Sequence, residues 1–150
     1  LMECRKSLLD MAEGRGIKIS VDSEMARWQP IRVNRGLFVQ TALNLIDNAI
    51  KYSRQSKEVR IDGRRVPDGV SLSFVSRGIQ IRDEVRERIF DRYYRANEAK
   101  KHAQEGTGIG LSIVKAFAEY YGRIEVKCTP VEGTRDYVTE FKLFIQERGW

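Results

Sequence analysis

The longest amphipathic pattern in the chain covers residues 36–53, with the sequence GLFVQTALNLIDNAIKYS. At ~3.6 residues per turn its apolar positions fall on one face at the spacing of a core helix, and a second stripe is polar. That stripe consists of Gln40, Asn44, Asn48 and Lys51. Amides are unusual there, because the Asn side chain competes with the helical backbone for hydrogen bonds. The pattern predicts a core-packed helix whose polar stripe either binds a ligand or is satisfied locally.

Shorter patterns predict the other elements. Alternation of apolar and polar positions predicts strands at 17–21, 57–65, 70–74, 124–128 and 136–145, with room for a further short strand at 30–33. Helical composition or spacing predicts helices at 1–12, 83–90 and 111–121, and the polar run 96–105 predicts a mobile loop. Helices alternate with hairpins instead of single strands, which favours an α+β sandwich with a mixed sheet over a doubly wound parallel fold.

Bulk properties narrow the class of protein. The 150 residues suit a single domain, and 41% hydrophobic with 32% charged residues indicates a globular chain. No apolar run approaches the ~20 residues needed to cross a bilayer, so we expect a soluble, cytoplasmic domain without membrane contact. Cys4, Cys128 and the single His102 are too few for a zinc site, and we expect both thiols to be reduced.

The net charge of +6 points to an anionic partner: nucleic acid, an anionic membrane surface or a polyphosphate ligand. The basic residues are mostly interleaved with Glu and Asp instead of being concentrated in one run. A dispersed excess of this kind is typical of solvated faces. The charge therefore raises the expectation of an anionic partner without selecting one.

Three alternating glycines, Gly106, Gly108 and Gly110, precede the predicted helix at 111–121. Glycines there let the backbone approach a ligand, and the free N–H groups of a helical first turn attract anions. The spacing matches neither a P-loop nor a dinucleotide-binding loop. A tight connection is the alternative, but the preceding basic and polar run favours a phosphate-covering lid.

Three segments together resemble a known family: NLIDNAIKYS at 44–53, IFDRYYR at 89–95 and GTGIGLSIVKAFAEYYG at 106–122. They are similar to the N box, F box and G2 box of the catalytic ATP-binding domain of sensor histidine kinases. That domain shares a superfamily with DNA gyrase, Hsp90 and MutL. The resemblance covers about 17–145 and implies a Bergerat-type two-layer α/β sandwich. Its mixed, mostly antiparallel sheet would have about five strands, with three helices on one face.

The resemblance also implies roles on the phosphate side. Asn48 would offer its amide oxygen to Mg²⁺, Asn44 would support the phosphate end, and Lys51 would place a positive charge against the phosphates. Gln40 stands where the superfamily often has a water-activating carboxylate, and an amide cannot act as that base. Arg95 would reach the phosphates when the lid closes, with a surface ion pair as the alternative.

The cofactors implied are ATP and Mg²⁺, and the resemblance places further residues around the nucleotide. Tyr52 would lie beside the adenine or ribose, and Thr139 near the adenine. The nucleotide-binding set implied by the family motifs is Tyr52, Ser76, Gly78, Ile81, Gly106, Thr107, Gly108, Ile109, Gly110, Leu111 and Thr139.

One motif departs from the family pattern. At 76–81 the sequence SRGIQI stands where the family has its G1 box, so Ser76 replaces an Asp and Gln80 replaces the second Gly. In the family, that Asp accepts a hydrogen bond from the adenine amino group. Loss of a hydrogen bond to a charged group weakens binding by about 1.5–3 kcal/mol, or one to two decades in affinity. An alternative is therefore a degenerate regulatory or docking domain that binds nucleotide weakly.

The family's phosphoacceptor histidine lies on a separate helical hairpin that also dimerises, whereas His102 falls in the predicted lid. We therefore expect residues 1–150 to be one catalytic domain, with 1–14 as the tail of that absent helical domain. The expected partners are the phosphoacceptor domain and a response regulator. The intact protein is expected to be a homodimer, with a membrane anchor left open, and this fragment a monomer. A basic nucleic-acid-binding module is a remote alternative.

Overall fold

The computed structural model describes residues 9–10, 12–53, 58–94 and 110–147. Within these ranges one sheet has the strand order β1-β2-β3-β5-β4. Its strands are β1 Lys18–Val21, β2 Glu58–Val66, β3 Gly69–Gly78, β4 Gly122–Pro130 and β5 Tyr137–Gln146. β1 runs parallel to β2, and every other neighbouring pair is antiparallel. The sheet is therefore mixed and mostly antiparallel, as predicted.

Two α-helices lie entirely in the described ranges, α1 at Arg35–Lys51 and α2 at Gly110–Tyr121, and residues 9–10 and 12–14 are also helical. Asn34 caps the start of α1: its Oδ1 accepts a hydrogen bond from the backbone N–H of Leu37 at 3.0 Å. Such a cap satisfies one of the N–H groups that have no partner inside the helix. Short 3-10 turns occur at Ser23–Arg27, Asp83–Val85 and Arg88–Phe90. None of the helices in the described part of the chain is long and apolar enough to cross a membrane.

The core lies between the two helices and one face of the sheet. Side chains at alternate positions of a strand point to the same face, so β3 and β5 each contribute every second residue. The buried side chains from these strands are Val70, Leu72, Phe74, Phe141, Leu143 and Ile145, and the helices add Leu45, Val114, Phe117 and Ala118. The opposite face is polar, and there Ser73 Oγ donates to Glu140 Oε1 at 2.7 Å.

Most predicted elements are confirmed, and two local predictions are wrong. Residues 30–33 form no strand. Residues 83–90 form two 3-10 turns instead of one helix: no side chain caps the first turn, and Asp83 pairs with Arg86 instead. A helix of that length is marginal without tertiary support. The α+β two-layer architecture is confirmed. The predicted loop at 96–105 lies outside the described residues. Most of the predicted helix at 1–12 also lies outside them, and its described residues, 9–10 and 12, are helical.

Candidate functional site

The polar stripe of α1 meets the first residue of α2. A Cβ placed on Gly110 would lie 3.5 Å from Asn44 Oδ1, so the Asn44 side chain packs directly against this glycine. The N-terminus of a helix carries unpaired N–H groups and the positive end of the helix dipole, both of which attract anions. Two features that were predicted separately from the sequence therefore lie side by side.

Asn44 is the residue of this stripe that carries a buried side-chain atom without a hydrogen-bond partner among the described residues. Its Nδ2 is buried, and no described residue accepts a hydrogen bond from it. An unsatisfied buried donor costs roughly 1–3 kcal/mol, so native structures rarely retain one without a reason. The Asn44 atom nearest Gly110 is the amide oxygen, and the amide group as a whole lies beside the N-terminus of α2, where an N–H donor is suited to an anionic oxygen.

At the other end of α1, Lys51 is already paired within the helix. Its Nζ lies 2.9 Å from Asp47 Oδ2, and the two side chains are 24% and 30% exposed. Tyr52 closes the helix by donating its backbone N–H to the carbonyl of Asn48 at 3.1 Å. Asn48 and Lys51 are half-buried, whereas Gln40 at the start of the stripe is exposed. Gln40 is therefore the one exposed residue of the stripe, and the other three are half-buried.

The end of β3 lies against the end of α1. The backbone N–H of Ile79 donates to the carbonyl of Tyr52 at 3.3 Å, and Ser53 forms an isolated bridge with Gly78. A Cβ on Gly78 would lie only 2.0 Å from that same Tyr52 carbonyl oxygen. Glycine is therefore required at this position, and the contact brings Tyr52 next to the G1-like segment.

Three small side chains lie in one row across the sheet, next to Gly78. Ser76 of β3 is in register with Thr139 of β5, which is in register with Cys128 of β4. Thr139 Oγ1 donates to Cys128 Sγ at 3.5 Å, and the backbone N–H of Ile81 donates to the same sulfur at 3.3 Å. Sequence reasoning missed Cys128, because only the pairing of β4 with β5 places it beside Thr139.

A second contact missed by sequence reasoning joins β3 to the start of β5. Arg77 Nε lies 3.0 Å from Asp136 Oδ2, and the Asp136 side chain is 4% exposed. The alternation along β3 puts Arg77 on the opposite side from Ser76. This ion pair fixes the strand end that carries Ser76 without occupying the site.

The described residues offer few protein ligands for a metal. No group of three or more His, Cys, Asp or Glu side chains in these ranges is placed to hold one. Mg²⁺ commonly takes one or two protein oxygens and completes its shell with water and substrate phosphates. The amide oxygen of Asn48 fits that sparse type of site.

The predicted site residues fall into three groups. Asn44 and Gly110 lie together at the middle of α1, and the second group lies at or near its C-terminal end: Asn48, Lys51, Tyr52, Gly78 and the row of small side chains. Leu111 and Ile81 pack, partly buried, against the core. The remaining predicted residues lie outside the described ranges: Arg95, Gly106, Thr107, Gly108 and Ile109.

The model of the family described as histidine kinase-, DNA gyrase B-, and HSP90-like ATPase matches residues 33–147. The sensor-like histidine kinase SenX3 of Mycolicibacterium smegmatis is 33% identical over 118 residues, which are 78% of this chain and 31% of that protein. The signal transduction histidine-protein kinase ArlS of Staphylococcus haemolyticus is 35% identical over 92 residues, 61% of this chain and 20% of that protein. The chain thus spans less than a third of the length of these curated relatives.

Solved structures show the same fold. The mycobacterial sensor histidine kinase MprB superposes with a TM-score of 0.69 at 22% identity, covering 98% of this chain and 95% of that one. The catalytic domain of the histidine kinase ThkA superposes with a TM-score of 0.67 at 20% identity, covering 96% and 90%. These likenesses confirm the predicted sandwich.

The family match includes the N box on α1, the F box segment and the G2 box that leads into α2. The resemblance predicted from these three motifs is confirmed by the family match and by the sensor kinases among the relatives. The chain belongs to the histidine kinase-, DNA gyrase B- and HSP90-like ATPase family, and it is a catalytic ATP-binding domain of the sensor histidine kinase type.

Proposed function

We propose that the chain binds Mg·ATP with the phosphates beside the N-terminus of α2 and the base toward the end of β3. The observation that carries this proposal is the Asn44 amide, which lies beside Gly110 and whose Nδ2 is buried with no partner among the described residues. A phosphate oxygen would satisfy that donor, and the helix dipole would favour the negative charge.

The amide stripe supplies the phosphate side of this proposal. Asn44 donates to a phosphate oxygen, and Asn48, one helical turn further on, offers its amide oxygen to Mg²⁺. Lys51 approaches the phosphates while Asp47 keeps it near the end of α1. Mg²⁺ would offset the charge of the phosphates and hold them in place.

The remaining predicted residues complete the pocket in this proposal. Gly106, Thr107, Gly108 and Ile109, which precede α2 in the sequence, would bind the phosphates, and Arg95 of the F box would contribute a positive charge to them. Tyr52, Gly78 and Ile81 border the base, with Ser76 and Thr139 beneath it. Gln40 is exposed and carries an amide, so it supplies no base for attack by water.

We further propose phosphoryl transfer to a histidine on a separate helical domain of the intact protein. The bond between the γ-phosphorus and its bridging oxygen breaks, a bond to an imidazole nitrogen forms, and ADP leaves. The catalytic domain contributes mainly positioning and charge stabilisation, which dominate phosphoryl transfer. The acceptor domain would also dimerise, and a response regulator would then receive the phosphoryl group.

Two measurements test this proposal. Titration of the chain with a fluorescent ATP analogue in Mg²⁺ should saturate below millimolar nucleotide, and Asn48→Ala should weaken that binding. The intact protein, given γ-labelled ATP, should become labelled on a histidine. A wild-type chain that fails to saturate below millimolar nucleotide would contradict the proposal.

One alternative has a specific observation in its favour. Ser76 supplies a neutral hydroxyl where the family has a carboxylate. This difference favours a domain that binds nucleotide weakly and has a regulatory or docking role. Such a domain would leave the intact protein unlabelled in the same assay.

The nucleic-acid alternative has less support in the described residues. Many basic side chains there pair with neighbouring carboxylates, including Arg60 with Asp62 and Arg123 with Glu125. Strong non-specific DNA binding needs a continuous basic surface. DNA retardation that weakens steeply with added salt would revive this alternative.

A further inference from the structure

The side chains that face the helices change character abruptly along the sheet. One rung consists of Phe74, Phe141 and Val126, paired across β3, β5 and β4. The next rung toward the candidate site is the row of Ser76, Thr139 and Cys128. Three bulky apolar groups thus give way to three small polar ones at the end of the sheet where the base is proposed to bind.

Ser76 is the member of this row whose hydrogen-bond polarity is not set by its neighbours. Serine and threonine hydroxyls each offer one donor and two acceptor lone pairs, and the hydroxyl hydrogen rotates to suit its partner. Thr139 gives its hydrogen to Cys128 and keeps acceptor capacity. No described residue forms a side-chain hydrogen bond with Ser76, which is half-buried.

The buried carboxylate near this row is committed elsewhere. Asp136 pairs with Arg77, whose side chain lies on the opposite face of β3 from Ser76. The row therefore has no charged acceptor of its own. A carboxylate accepts hydrogen bonds only, whereas a hydroxyl can either donate or accept.

We infer that Ser76 makes the base end of the pocket tolerant of both adenine and guanine nucleotides. Adenine presents an amino donor at its C6 position, and guanine presents a carbonyl acceptor at the same position. A serine hydroxyl can turn to satisfy either group, whereas an ionised carboxylate in its place favours the amino group and repels the carbonyl oxygen. This inference rests on the proposed nucleotide site and names its substrate class: purine nucleoside triphosphates with little preference between the two bases.

The test compares affinities for ATP and GTP. Ribose-labelled fluorescent analogues of both nucleotides are titrated in Mg²⁺, with unlabelled ATP and GTP as competitors. The wild-type chain should bind the two within about fivefold of each other. Ser76→Asp should raise the ATP-to-GTP affinity ratio by about tenfold or more, because a hydrogen bond to a charged group is worth at least a decade.

Two variants serve as controls. Ser71→Asp adds the same charge on the same strand, but on the polar face opposite the helices, and should leave the ratio unchanged. Ser76→Ala should weaken ATP and GTP by similar factors, because both lose the same hydroxyl.

A wild-type chain that binds ATP more than about 50-fold tighter than GTP would overturn this inference and leave the proposed function intact. A chain that binds neither nucleotide would overturn both. The ratio of ATP to GTP affinity of the wild-type chain tests the inference even if the Ser76→Asp variant fails to fold.

Discussion

Gly78 is the residue at which the sheet comes closest to the chain leaving α1. A Cβ there would lie 2.0 Å from the Tyr52 carbonyl oxygen, a backbone atom that cannot move without displacing the helix end. Gly14 has no neighbouring atom within 4 Å of an added Cβ, so it tolerates a side chain.

We expect Gly78→Ala to lower the free energy of unfolding by about 3 kcal/mol, because the overlap forces the backbone apart. Gly14→Ala should change it by less than about 1 kcal/mol. Urea denaturation of both variants checks this, and equal effects would refute the steric explanation.

If the proposed site is correct, Asn44 should matter more for ATP binding than for the stability of the fold. We expect Asn44→Ala to change the free energy of unfolding without nucleotide by less than about 1 kcal/mol, since removal of an unsatisfied donor offsets the lost packing. Its ATP affinity should fall about tenfold or more. Fluorescence titration and urea denaturation measure the two quantities.

Thr41→Val is the matched control for Asn44. Thr41 is buried on the same helix, and its Oγ1 donates to the Leu37 carbonyl within α1 at 2.8 Å. This variant should leave ATP affinity unchanged. An Asn44→Ala protein with normal affinity and strongly reduced stability would show that the amide is structural instead.

At the scale of elements, an aromatic contact and a hydrogen bond join the two helices. The Phe117 and Tyr121 rings lie 4.7 Å apart, and Phe117 also packs against Phe38 of α1. Tyr121 Oη accepts a hydrogen bond from the backbone N–H of Asn34 at 2.8 Å, next to the start of α1. The start of α1 is therefore fixed to the end of α2.

We expect Tyr121→Phe to lower the free energy of unfolding by about 1 kcal/mol, because it leaves the Asn34 N–H without this acceptor. Tyr93→Phe, at a side chain that is 65% exposed, should change it by less than about 0.5 kcal/mol. Thermal unfolding of the pair checks this, and a neutral Tyr121→Phe would mean that water replaces the bond.

Loss of the ion pair between Arg77 and Asp136 should destabilise the fold more than loss of an exposed ion pair on β2. Arg77→Met would leave the carboxylate of Asp136 buried and without this partner, and should lower the free energy of unfolding by about 2 kcal/mol. The loss is smaller than that expected for a fully buried pair, because the Arg77 side chain is 35% exposed. Arg60→Met breaks a pair whose side chains are 57% and 43% exposed, and should cost less than about 1 kcal/mol. Urea denaturation distinguishes them, and similar costs would show that burial is unimportant here.

At the scale of the whole molecule, ligand binding to the folded state alone should stabilise it. Mg·ATP at a hundred times its dissociation constant adds about 2.7 kcal/mol. For a domain of this size we expect Tm to rise by about 5–10 °C. Differential scanning fluorimetry measures this, with Mg²⁺ and inorganic phosphate as the control. An unchanged Tm at saturating nucleotide would contradict a site restricted to the folded chain.

The sequence by itself determined the elements and the family. The polar stripe on α1, the alternating strands and the three boxes are local patterns, and local periodicity follows from which face of a helix or strand is buried. Predictions failed where local signals were weak, at 30–33 and at 83–90, since short segments depend on tertiary contacts for their conformation.

Only the tertiary structure decided which distant residues meet. Helix packing places Asn44 against Gly110 and leaves its Nδ2 without a partner among the described residues, and the close contact at the end of α1 requires glycine at position 78. Strand register aligns Ser76 with Thr139 and Cys128, which lie on three different strands. A row across a sheet depends on the pairing of strands that are separated in sequence, so no local pattern encodes it.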